Sequence, residues 1–205
     1  MSHLRMLKPA VLGAALLTTI AVAASCGGTP SATTSLPGSA AASSPTIASS
    51  ASAVGPRPRG VTDSGLKVIW VVDGDTVRVR LNGKDTTVRM IGINTPETVK
   101  ENSPIECYGP EASAYAKSKL AKQKVTLEYD DSQGRFDQYG RTLAYVWFEE
   151  KDGSLTLMNL DEVKGGYAFE RQYGRTPYAR KSQFRTAQAA ARKAQAGLWG
   201  ACQVP

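Results

Sequence analysis

The run from Thr76 to Ile91 limits the fold more than any other stretch of the chain. Thr76 to Leu81 alternates strictly, with Val77, Val79 and Leu81 on one face and Arg78 and Arg80 on the other, the signature of a half-buried strand. Asn82-Gly83 follows, a pair that tolerates the positive φ values of a two-residue hairpin turn. Thr86 to Ile91 is the return strand. Its inward residues are Val88 and Met90, so parity puts Arg89 on the face opposite the core. Upstream, Leu66 to Val72 is rich in β-formers and presents Leu66, Val68, Trp70 and Val72 on one side. Three antiparallel strands are therefore expected in quick succession.

Asn94 to Pro110 reads as loop, punctuated by Pro96, Pro104 and Pro110. Glu111 to Lys122 carries an apolar stripe of Ala112, Tyr115, Ala116 and Leu120, and Pro110 suits a helix start. Lys124 to Asp130 alternates as a strand through Val125, Leu127 and Tyr129. Thr142 to Phe148 is nearly continuous in apolar and β-branched residues and should be a buried strand. Asn159 to Lys164 predicts a short helix closed by Gly165-Gly166. Pro177 to Ala196 predicts the last helix, with Phe184, Ala187, Ala191, Ala194 and Leu198 inward and Arg180, Lys181, Arg185, Arg192 and Lys193 outward. The pattern is α+β, mainly β. Five short strands with a helix inserted after the third match a five-stranded OB-fold barrel with three packed helices. An open α+β sheet fits the same order.

The N-terminus is organised differently. Met1 to Lys8 carries Arg5 and Lys8 and no acid, and Pro9 to Ala24 is apolar and small. Residues 1–25 read as a signal peptide, too short and poorly flanked for a spanning helix. Ala23-Ala24-Ser25-Cys26 resembles a bacterial lipobox, in which the cysteine takes lipid and becomes the new N-terminus. Ordinary cleavage after Ala23 is the alternative and would leave Cys26 a thiol. Residues 26–60 form a linker of Ser, Ala, Thr and Pro without helical or strand period. It cannot bury enough apolar surface to offset its chain entropy, so a disordered tether of about 30 Å mean reach is expected. Residues 61–205 are the expected folded domain, held at the outer face of the cell membrane, or secreted if Cys26 carries no lipid.

The net charge of +7 favours polyanionic partners. The only histidine is His3. Without the leader the chain has none, which excludes Ser-His-Asp triads and histidine-ligated zinc. Catalysis then falls to carboxylates, guanidinium groups, hydroxyls or a metal. Val72-Asp73-Gly74-Asp75-Thr76 and Val88-Arg89-Met90-Ile91-Gly92-Ile93-Asn94-Thr95-Pro96-Glu97 supply such groups. Asp75, Asn94 and the Thr95 carbonyl are hard oxygen donors suited to a calcium-like cation. Arg89 offers a fork for phosphate, and Glu97 can take a proton from water.

These stretches, with Tyr108-Gly109-Pro110-Glu111-Ala112, Asp137-Gln138-Tyr139-Gly140-Arg141 and Leu143-Ala144-Tyr145, resemble the staphylococcal nuclease (thermonuclease) family. The resemblance runs from about Lys67 to Gly200, with spacing preserved from Asp75 through Arg141. It implies an OB-fold barrel and calcium-dependent hydrolysis of both DNA and RNA to products with 3′-phosphates. It implies Asp75 as a direct Ca2+ ligand, Thr95 as a carbonyl ligand, and Asn94 standing where the family shows a second aspartate. Arg89 and Arg141 match the phosphate-binding arginines, and Glu97 the glutamate beside the attacking water. Asp73 matches an acid behind the metal ligands. Tyr139 matches a nucleotide-lining tyrosine, and Tyr173 is the nearest candidate for another. Gln138 departs from the family's lysine. Single-stranded or frayed nucleic acid is the expected substrate, with no protein partner and a monomeric chain. A non-catalytic OB-fold lipoprotein that only binds nucleic acid is the alternative.

Of the three cysteines, Cys107 and Cys202 remain if Cys26 is lipidated. An exported chain meets an oxidising compartment, so a Cys107–Cys202 disulfide is expected. Two thiols that never meet are the other outcome.

Overall fold

The computed structural model describes residues 56–98 and 104–204. The leader, Cys26 and nearly all of the linker lie outside the described residues. Among those described, no helix is long and apolar enough to cross a membrane.

The chain enters through β1 (Thr62–Val71), the longest strand, which serves two neighbours. Its first half pairs antiparallel with β5 (Lys124–Glu128), from Thr62 opposite Glu128 to Lys67 opposite Lys124. Its second half pairs with β2 (Thr76–Leu81). The Asn82-Gly83 turn, with φ 50° and 77°, delivers β3 (Lys84–Met90) back along β2. β6 (Thr142–Glu149) lies antiparallel to β5. Closure comes from a parallel pairing of β3 with β6, Val88 to Met90 against Thr142 to Ala144. The five strands β1, β2, β3, β6 and β5 thus form a closed barrel, the OB-type architecture, and the open sheet is excluded. β7 (Leu155–Leu157) adds a sixth strand beside β6. β4 (Ile93–Asn94) and β8 (Phe169–Glu170) form a separate two-stranded pair. All three are too short for periodicity to reveal.

The helices cover the barrel. α1 (Gly109–Leu120) buries Ala112, Ala116 and Leu120, as its stripe predicts. α2 (Met158–Gly165) ends on Gly166 in the left-handed region, φ 70°. α3 (Lys181–Lys193) buries Phe184, Ala187 and Ala191, and α4 (Leu198–Ala201) closes the chain. The main core joins both faces of the barrel interior to α2 and α3.

Three expectations are corrected. Trp70 is 64% exposed, whereas Val68 and Val71 are buried. A register shift between Val68 and Trp70 inserts an extra residue, and one residue is enough to turn every later side chain to the other face. The last helix begins at Lys181, not Pro177, and Ala194 at its end is exposed. Asp130 accepts the Ala179 N–H at 2.7 Å and the Tyr145 hydroxyl accepts the Arg180 N–H at 3.3 Å, so tertiary bonds replace the first helical turn. Arg180 is buried rather than outward. Its guanidinium meets both Glu128 carboxylate oxygens at 2.8 Å, and the Trp147 indole N–H donates to the same carboxylate at 2.6 Å.

Glu162 on α2 is fully buried, and neither carboxylate oxygen has a hydrogen-bond partner. Burial, followed by Asp75, Asp73 and Asp161, pushes its carboxyl well above the usual 4.5, with Arg89 opposing. The folded state therefore holds this proton more tightly than the unfolded chain. Stability conferred by the protonated group is complete below about pH 4.5 and declines as pH rises toward the raised native value. Glu162→Leu is expected to stabilise the fold by about 1–3 kcal/mol at acid pH, the cost of an unsatisfied buried polar group, and by more at pH 8. Urea unfolding of both proteins at pH 5 and 8 checks this, and an equal gain at both would remove the ionisation argument.

A candidate active site at the barrel mouth

Asp75 is placed by a turn that only glycine permits. A Cβ on Gly74 would lie 2.4 Å from Thr95 Cγ2, so the missing side chain lets the β1–β2 turn press against the segment after β4. Asp75 then locks that contact. Its Oδ2 accepts the Thr95 N–H at 3.0 Å, its Oδ1 accepts the Thr76 hydroxyl at 2.9 Å, and its carbonyl accepts the Met90 N–H at 2.9 Å. Gly92 makes the second close approach. At φ 78°, it lies where a Cβ would sit 2.6 Å from the Tyr178 ring.

Arg89 alternates with Val88 and Met90 as parity requires, yet it is only 7% exposed. It leaves the core face only to be enclosed by the chain that follows. Nη2 pairs with Asp75 Oδ2 at 2.9 Å and donates to the Ile93 carbonyl at 2.9 Å, and Nη1 donates to the Met90 carbonyl at 2.7 Å. Nη2 also reaches the Tyr173 hydroxyl at 3.0 Å, and Tyr173 donates to Asn94 Oδ1 at 2.7 Å. The guanidinium thus holds its orientation before any substrate arrives.

Arg141 arrives from the other side of the closure. The parallel β3–β6 pairing sets Thr142 beside Val88, bringing the residue before β6 next to β3. Asp137 holds Arg141, accepting Nε at 2.6 Å on one oxygen and the Arg141 and Tyr139 backbone N–H groups at 2.9 Å on the other. Burial pushes the Asp137 carboxyl up, but the Arg141 and Tyr139 hydrogen bonds outweigh it and keep the group below the usual range. Asp137 thus supports Arg141, whereas the sequence placed it only within the stretch that resembles the family and gave it no role of its own. Its signal was an acid four residues before the arginine it pairs with. The Arg141 guanidinium also lies 5.3 Å from the Tyr139 ring centroid.

Glu97 follows Pro96 and is clasped by the loop before α1. Its N–H donates to Glu106 Oε2 at 3.0 Å and its carbonyl accepts the Glu106 N–H at 3.0 Å. Its own Oε1 accepts the Thr98 N–H at 2.9 Å.

Asp73, Asp75, Arg89, Asn94, Thr95, Glu97, Tyr139, Arg141 and Tyr173 all line one cleft of about 630 Å3. The residues expected for catalysis, metal and nucleotide binding are therefore brought together, with the Cys107–Cys202 pair outside this cleft. Phe136, 66% exposed, also lines it and was not foreseen. With Tyr139, 74% exposed, and Tyr173, 52% exposed, it gives the cleft three solvent-facing aromatic rings.

The donor set fits a hard divalent cation. Among the described residues no group of three or more His, Cys, Asp or Glu side chains forms an ion cage. The oxygens available are a carboxylate, an amide and a backbone carbonyl, from Asp75, Asn94 and Thr95. The charge balance supports the fit. Burial, then Asp75 and Glu97, push the Asp73 carboxyl up to about 7 against the opposing pull of Arg89. At Asp73 the charges of Asp75 and Glu97 outweigh that of Arg89, an imbalance that a divalent ion would relieve.

A closed barrel whose mouth gathers two arginines, carboxylates and exposed aromatic rings defines an OB-fold protein with a cleft chemically suited to phosphate. Residues 87–201 match the family model described as "Staphylococcal nuclease homologue". Over 133 residues the chain is 44% identical to the thermonuclease of Staphylococcus hyicus, covering 65% of this chain and 74% of that protein. It is 39% identical over 148 residues to the thermonuclease of Staphylococcus intermedius, covering 71% and 83%. It is 38% identical over 128 residues to endonuclease YncB of Bacillus subtilis (strain 168), covering 62% and 58%. The chain belongs to the staphylococcal nuclease family.

Proposed function

We propose that this protein is a metal-dependent nuclease that hydrolyses phosphodiester bonds in DNA and RNA, uses calcium, and leaves 3′-phosphate products. The observation that carries the reading is the convergence of Arg89, Arg141, Glu97 and Asp75 on one cleft. A module that only binds nucleic acid has no need of a carboxylate in the same cleft as two guanidinium groups.

Arg89 and Arg141 bind the scissile phosphate and oppose the charge that builds on its oxygens, the electrostatic contribution that usually dominates such catalysis. Calcium, when bound by Asp75, Asn94 and the Thr95 carbonyl, supplies further charge neutralisation at the phosphoryl group. Glu97 orients water and accepts its proton as the oxygen attacks phosphorus. The 5′-oxygen leaves. Tyr139 and Phe136 offer faces for an unpaired base, which favours single-stranded or frayed substrate. The full chain is expected to degrade both DNA and RNA oligonucleotides with calcium and neither with EDTA. Activity that survives EDTA would remove the metal from the reading.

Asn94 provides a further check. Its Oδ1 already accepts the Tyr173 hydroxyl, and it contributes no charge. Ligand charge is one determinant of calcium affinity. Asn94→Asp is expected to lower the calcium concentration for half-maximal activity several-fold. An unchanged requirement would show that Asp73 already supplies the missing charge.

The leader supports an enzyme tethered to the outer face of the membrane through lipid on Cys26. In the native host, Cys26→Ser is expected to move nuclease activity from the membrane fraction to the medium. Activity that stays with the membrane would sink the anchor.

A further inference from the structure

The bulge that turns Trp70 outward builds a second surface. The Val68 N–H donates to the Gln123 carbonyl at 3.0 Å, drawing the loop after α1 alongside β1. A groove of about 600 Å3 opens between them, floored by Ile69, Trp70 and Ala121. Its charged lining is wholly basic: Lys67, Arg80, Lys117 and Lys122. Arg78 stands opposite Trp70 across the β1–β2 pair, on the same outer face of β2 as Arg80. Asp85 meets Arg80 at 3.1 Å and is that arginine's acidic partner at the rim.

The core does not require this ring outside. Trp147 and Trp199 are buried at 1% and 7% exposure, while Trp70 is 64% exposed. A flat aromatic face inside a ring of cations is how proteins hold single-stranded nucleic acid, the bases stacking and the phosphates meeting the charges. Trp70 precedes Asp73 by three residues, so at most about 11 Å of chain separates the groove floor from the catalytic cleft.

We propose that the Trp70 groove is a second nucleic-acid site, which binds a single-stranded segment of the substrate a few nucleotides from the phosphate being cut. The inference rests on the nuclease reading for the identity of the polymer. Charge complementarity and the outward tryptophan select this occupant. An anionic lipid surface shares this charge, and the vesicle arm of the test separates it from nucleic acid.

Trp70 is the one exposed tryptophan of the three, so the part of the intrinsic fluorescence that is absent in Trp70→Phe reports on the groove. The experiment titrates the full chain, in EDTA to prevent cleavage, with thymidine oligonucleotides of two and of twenty nucleotides and with vesicles of phosphatidylglycerol. The twenty-mer is expected to quench the signal and the two-mer, which fills only the cleft, to leave it unchanged. By anisotropy of a labelled twenty-mer, which needs no tryptophan, Trp70→Ala should weaken binding about tenfold, Trp70→Phe should restore most of it, and Lys117→Glu with Lys122→Glu should lower the salt dependence. All three variants should cut a short phosphodiester at the native rate with calcium. Equal twenty-mer affinity in Trp70→Ala and the native chain would overturn the site. Quenching by vesicles but not by the twenty-mer would also overturn it. The binding arms need no catalysis, so a chain inactive on the short substrate would refute the nuclease reading alone.

Discussion

Glu97→Gln is expected to slow phosphodiester hydrolysis by about 10²–10⁴-fold, the usual contribution of a positioned acid or base. Glutamine keeps the size of the side chain and can still meet the Thr98 N–H that Glu97 Oε1 accepts, so the loop should hold its shape. What it loses is the ability to take a proton. Arg141→Ala should cost about 10²–10³-fold, as for one donor that stabilises charge in the transition state. Its known partner, Asp137, belongs to the same turn, and its side chain is 32% exposed, so global stability should change little. Arg89→Ala should behave differently. That arginine is buried, pairs with Asp75 and caps two backbone carbonyls, so its removal leaves a buried carboxylate without its cation. Breaking one side of a buried pair typically costs about 3–5 kcal/mol, so Arg89→Ala should lose stability together with activity. Single-turnover cleavage of a labelled oligonucleotide at saturating calcium, with urea melts in parallel, separates these cases. A Glu97→Gln enzyme that cuts within a few-fold of native would remove glutamate from the chemistry.

Opening the Cys107–Cys202 disulfide should be the largest single blow to stability. The bond is present, with Cα atoms 6.0 Å apart and a sequence separation of 95. Closing a loop of that size restricts the unfolded chain by about 4–5 kcal/mol in chain-entropy models. In a domain of this length the loss should lower Tm by about 10–20 °C. The bond also acts locally. Cys202 packs with Leu198, Trp199, Tyr108 and Phe169 in a small cluster apart from the main core. Cys107 follows Glu106, whose backbone and carboxylate clasp both the N–H and the carbonyl of Glu97. Cys107→Ser with Cys202→Ser should therefore lower kcat several-fold even where the protein is fully folded. Calorimetry and activity at 15 °C test both parts. A Tm shift of only a degree or two would mean that the unfolded chain gains little freedom when the bond is absent.

Much of this protein is written locally. Alternation across Thr76–Leu81, the Asn82-Gly83 turn and the apolar run Thr142–Phe148 report strands because a pleated chain half in water must alternate, and a chain buried on both faces need not. The pattern Asp75, Arg89, Glu97 and Arg141 could be recognised because the barrel keeps their spacing. The helical stripe of α1 is legible for the same reason, since one face alone is buried. Other features depended on contacts between distant parts of the chain. One bulged residue in β1 turned Trp70 to solvent, and no periodicity reports a single inserted residue. Arg180 reads as an outer-face cation on a helical wheel, yet Glu128, from a strand 52 positions earlier, draws it inside. Pro177 to Ala179 has helical composition, but the Asp130 carboxylate offers the Ala179 N–H a better partner than a first turn would. Arg89 sits on the polar parity of β3 and is still buried, because the β3–β6 closure and the Tyr173 segment fold over it. The disulfide required two loop ends to meet. Sequence alone marked the residues that carry the candidate chemistry and the five strands of the barrel, but not the short strands β4, β7 and β8. Tertiary structure decided which charges are buried and oriented, because burial and pairing belong to groups that meet only when the barrel closes.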